Sequence, residues 1–103
     1  GILSGDNKAT YAVHLKVENK SYDQILKSNE SAVKSGKLRA SAFRLAKVPS
    51  VLGTRLDGEI RPDVKGSMVV LPLRDKSIVI AAESEQYVPD LDKVVLPTFT
   101  FNP

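Results

Sequence analysis

Across residues 9–18 apolar and polar side chains alternate, with Tyr11, Val13, Leu15 and Val17 in one register and Thr10, His14, Lys16 and Glu18 in the other. A period of two predicts a half-buried strand, because successive side chains of a strand leave opposite faces of the sheet. The period then lengthens. Tyr22, Ile25, Leu26, Asn29, Ala32 and Val33 recur at steps of three and four, which gathers them on one face of a helix. Ser21 and Gln24 have the spacing of a capping box, so the serine oxygen accepts an otherwise orphan backbone N–H and the helix starts there. Gly36 suits the left-handed residue that ends it.

Residues 38–48 fit two patterns. As a helix, Leu38, Ala42, Leu45 and Ala46 form an apolar stripe, and Lys37, Arg44 and Lys47 lie on another side. As a strand, Arg39, Ser41, Phe43, Leu45 and Lys47 would share a face that mixes charge with bulky apolar groups. The alanines and the cleaner stripe favour a helix, stopped by Pro49. Beyond it the chain reads as sheet. Asp57-Gly58 predicts a two-residue turn between Arg55-Leu56 and Glu59-Ile60. Residues 68–74 and 77–82 are β-rich runs joined at Asp75-Lys76, a second hairpin. Pro72 cannot donate to a ladder, which places its strand at an edge or a bulge. Residues 94–101 read as a last strand interrupted by Pro97, with Phe99 and Phe101 on one side and Thr98 and Thr100 on the other. The sum is an α+β fold: one or two helices packed on a mainly antiparallel sheet of about five strands.

Length and composition narrow the function classes. The 103 residues, 42% hydrophobic and 26% charged, suit a single domain, with residues 1–8 as a loose arm and any ligand site in a surface groove. Cysteine is absent, which removes disulfides, thiolate metal sites and thiol nucleophiles. No apolar run approaches the roughly 20 residues that span a bilayer as a helix, so no transmembrane segment is expected. The chain begins at Gly1. Such a start is expected of a processed, exported or membrane-anchored domain, or of a fragment carrying a cloning remnant.

Charge is segregated along the chain. Residues 31–56 hold six basic side chains, Lys34, Lys37, Arg39, Arg44, Lys47 and Arg55, and no acid, whereas the charges between Lys76 and Lys93 are Glu83, Glu85, Asp90 and Asp92. A one-signed stretch can hold a partner of the other sign, unless the two stretches fold together and cancel.

Catalytic signatures are missing. His14, the one histidine, sits beside Lys16 on the polar side of its strand and reads as a surface residue rather than a base or metal ligand. Asp57, Glu59 and Asp63 read as solvated turn residues, and Asp90-Leu91-Asp92 lacks the ligand spacing of a calcium loop. Gly53 and Gly58 stand in neither dinucleotide nor P-loop spacing, and no Gly-x-Ser-x-Gly elbow occurs. The expected function is therefore a non-catalytic binding or assembly module, without metal or cofactor. It would contact a partner protein through a basic face of Lys34, Lys37, Arg39, Arg44 and Lys47, or through an edge strand containing Pro72. A nucleic-acid-binding domain is the first alternative and a small hydrolase with a shallow cleft the second. Head-to-tail self-association follows if the two charged stretches lie on opposite sides.

Overall fold

The computed structural model describes residues 13–103. The predicted arm at residues 1–8 and residues 9–12 of the first predicted strand lie outside them. The remaining alternating residues form β1 (Val13–Glu18). Ser21 caps α1 (Tyr22–Ser28) through both capping-box bonds: the Gln24 N–H donates to Ser21 Oγ at 3.2 Å and the Ser21 N–H to Gln24 Oε1 at 2.8 Å. The helix breaks at Asn29, because the Ser28 hydroxyl and the Asn29 amide both donate to the Ile25 carbonyl and draw the backbone off its axis. It resumes as α2 (Glu30–Lys34). Gly36 (φ 85°) then ends it in a Schellman turn, with Gly36 N–H on Val33 O and Lys37 N–H on Ala32 O.

Four strands follow as a meander: β2 (Leu38–Leu45), β3 (Val48–Arg61), β4 (Val64–Leu73) and β5 (Lys76–Ala82). The sheet is antiparallel throughout in the order β1-β5-β4-β3-β2, which leaves β1 and β2 as its edges. Together with the helices this makes the α+β fold expected from the sequence. Among the described residues, no helix is long and apolar enough to cross a membrane.

Opposite sheet faces carry separate cores. Leu38, Leu56, Ile60, Val70 and Ala81 pack with Ile25 under the helix pair. On the other face Val13, Leu45, Val69, Leu71, Ile78 and Ile80 pack under the C-terminal segment, through Leu91 and Leu96. That segment is a broken helix: a 3₁₀ turn (Glu85–Tyr87), α3 (Val88–Asp90), a π turn (Leu91–Val95) and α4 (Leu96–Thr98).

Several expectations are corrected. Residues 38–45 are strand, not helix. Alanine's helix preference is worth only tenths of a kcal/mol per residue, and six consecutive partner pairs with β3 outweigh it. Asp57-Gly58 lies within β3, and the turn falls instead at Pro62-Asp63, where Asp63 has φ 62° and Arg61 faces Val64. Pro97 opens α4 rather than interrupting a strand, since a first helical turn has no use for its missing N–H. Phe99 and Phe101 nevertheless do turn the same way, stacked at 6.0 Å against the core. The alternation in β1 buries Val13 alone; Leu15 and Val17 stay 41% and 54% exposed because they lie on an edge strand.

Pro72 sits in the central strand, not at an edge. Hydrogen-bonded and non-bonded pairs alternate along an antiparallel ladder. Counting from the Glu59 N–H bond to Lys37 O, the even-numbered residues of β4 point their amides toward β3. The β3–β4 ladder stops at Thr54–Val70, so Pro72, the next residue whose nitrogen would point at β3, lies just beyond its last pair.

Candidate functional site

Folding scatters the basic residues along one edge. Lys34 ends α2 with its ammonium 3.9 Å from Glu30, Lys37 follows Gly36, Arg39 and Arg44 belong to β2, and Lys47 lies in the β2–β3 turn. Arg39 and Arg44 are roughly 17 Å apart at the ordinary rise per strand residue, so they do not form one cluster. The Arg44 guanidinium donates to Pro49 O at 2.8 Å. Among the described residues, Lys37, Arg39 and Lys47 form no ion pair. Lys37 and Arg39 border a shallow depression that also holds Asp57 and Glu85.

Part of the charge segregation folds back on itself. Arg55, 17% exposed, reaches from β3 to Asp57 through Nε at 3.1 Å and to both carboxylate oxygens of Asp92 on the π turn. The Ser67 hydroxyl completes the group by donating to Asp57. The hydrogen bonds to Asp92 raise the Arg55 pKa above its ordinary value; burial opposes the rise and Asp57 adds to it. This network ties the C-terminal segment to the sheet. Arg55→Ala is expected to lower stability by about 1–3 kcal/mol, because Asp57 is left without its charged donor. Asp92→Asn is expected to cost about 1 kcal/mol or less, since that carboxylate is solvent-screened. Urea unfolding measures both, and equal costs would show that Asp57 does not depend on the arginine.

Glu83 is the second acid used internally. Its carboxylate lies 2.9 Å from Arg61 and 3.6 Å from His14, a partner that the local sequence around His14 did not reveal. Of the three acids read as solvated turn residues, Asp57 and Glu59 lie instead in β3: Asp57 holds Arg55 and Ser67, while Glu59 accepts the N–H of Asp63 in the turn at 3.1 Å. Among the described residues no three His, Asp or Glu side chains form a metal-binding group.

The edge itself is the feature that sequence reasoning missed. Arg39, Ser41 and Phe43 form the hydrogen-bonded pairs with β3, so Leu38, Ala40 and Ala42 turn their N–H and C=O groups outward. No backbone partner meets them among the described residues; Leu38 is buried under the helix pair, which leaves Ala40 and Ala42 open. Residues 39–42 are all exposed, and three of the four side chains are small. The alternation of small residues with Arg39 and Phe43 was the available signal, but helix propensity obscured it. Comparisons of the chain with protein-family models, with curated proteins and with solved structures gave no match.

Proposed function

We propose that this protein is a non-catalytic binding module that takes up an extended acidic segment of a partner protein along the free edge of β2. The observation that carries the reading is the pair of outward, exposed backbone positions at Ala40 and Ala42, flanked by Lys37, Arg39 and Lys47. Strand addition draws affinity from main-chain bonds and selectivity from neighbouring side chains. Cations along an edge deter pairing with a second identical edge, since like charges opposite one another repel, and they favour a strand bearing carboxylates. Nucleic acid fits less well. Its binders add aromatic platforms to clustered cations, whereas Phe43 packs against the core and the cations here are spread out.

The test uses an alternating Glu-Val hexapeptide and amide hydrogen exchange. Binding is expected to protect Ala40 and Ala42. Ala42→Pro removes one outward donor without touching the bonds to β3, a position where edge strands accept proline. It should weaken the peptide by about tenfold, the equivalent of one well-made hydrogen bond, with little change in thermal midpoint. Unchanged affinity would sink the reading. Binding of a DNA oligonucleotide that weakens steeply with salt, in place of the peptide, would assign the basic residues to phosphate.

A further inference from the structure

The helix pair covers only part of its sheet face. Between α1 and the β1 side of the sheet opens a cleft of ≈ 420 Å³, within the range of small-molecule sites. Its apolar lining comes from Ile25 on α1 and from Ile60, Met68, Val79 and Ala81 on three strands. Met68 and Val79 are only partly buried although they stand over the middle of the sheet.

Charges lie along the rim in an uneven pattern. At one end Glu83 is matched by Arg61 at 2.9 Å and by His14. Along β1, Lys16 pairs with Glu18 at 2.8 Å. Lys20, which also lines the cleft, forms no ion pair among the described residues. Its backbone is held in place, because the fully buried Ser77 donates its hydroxyl to Lys20 O at 2.8 Å. Among the described residues, the rim therefore offers at Lys20 a positive charge without an ion pair beside an apolar trough.

We propose that the cleft binds a free medium-chain carboxylate, with its alkyl tail over Met68 and Val79 and its head at Lys20. The site is independent of the β2 edge, which lies across the sheet. Decanoate at submillimolar concentration is the probe, followed by methyl NMR. Shifts are expected at Ile25, Ile60, Met68 and Val79. Lys20→Glu, an exposed change that leaves the fold intact, should weaken decanoate roughly fivefold, the upper range for a solvent-screened pair, and leave decanol binding unchanged. Val79→Phe should fill the trough and abolish both; if that variant does not fold, the Lys20→Glu comparison still decides. Shifts centred on Leu15, Val17 and Val94, which are exposed apolar residues outside the cleft, would overturn the proposal as adsorption. Equal decanoate affinity in wild type and Lys20→Glu would overturn the assignment of the head group.

Discussion

Gly66→Ala is expected to leave little folded protein. A Cβ at this position would stand 1.9 Å from Ala82 O, 3.0 Å from Ala82 C and 3.2 Å from Ser84 N, all backbone atoms. The chain leaves β5 there and passes directly over β4, so no side-chain rotation can relieve the contact. Relief requires the end of β5 to lift, which breaks Ser67–Ala82 on one side and Val13–Ala82 on the other. Overpacking of a rigid site costs about 1–3 kcal/mol or more, and loss of two ladder ends adds to it, against a total of about 5–15 kcal/mol for a domain of this kind. Gly36→Ala is the control. Nothing lies within 4 Å of a Cβ there, and only the φ of +85° penalises the change, by about 1–2 kcal/mol. Urea unfolding followed by circular dichroism compares them. A wild-type midpoint for Gly66→Ala would show that the crossing is loose.

Leu91→Ala is expected to cost about 3–5 kcal/mol, the span seen for leucine truncation in a tight core. Leu91 is 0% exposed and fills the space between the C-terminal segment and Val69, Leu71 and Ile80. Its π turn is short and has no side-chain cap, so the segment is held by this packing and by the Arg55–Asp92 bonds. Ile25→Ala on the opposite face should cost about 2 kcal/mol, the low end for truncation of a buried isoleucine, because its neighbours border an open cleft. Equal losses would mean that the two cores are packed equally well.

Local chemistry was legible from the sequence, and long-range pairing was not. Ser21, Gln24 and Gly36 act within a few residues of themselves, and the two ends they mark are where the spacing placed them, although the helix between is broken at Asn29. The β4–β5 hairpin was likewise visible, with its turn at Arg74-Asp75, one residue earlier than expected. Residues 38–45 carried helix-forming alanines, but their state is decided by β3, a partner that no local pattern announces. Asp57-Gly58 resembled a turn because glycine permits one; here the glycine is needed because Lys37 O would lie 2.3 Å from a Cβ. The run of cations was legible as a run, but its spread along an edge follows from the sheet order, and the capture of Arg55 by Asp92 from the packing of the C-terminal segment on the sheet.

The pairing of β1 with β5 has a kinetic consequence. The meander from β2 to β5 assembles by successive short hairpins, whereas Glu18 meets Ser77 only after the whole intervening chain is in place. Closing so long a loop adds an entropic penalty that grows only as the logarithm of its length, but the ladder cannot begin until its distant partner exists. In a chain emerging from the ribosome, β1 has no ladder partner to pair with until residues 76–82 have been made.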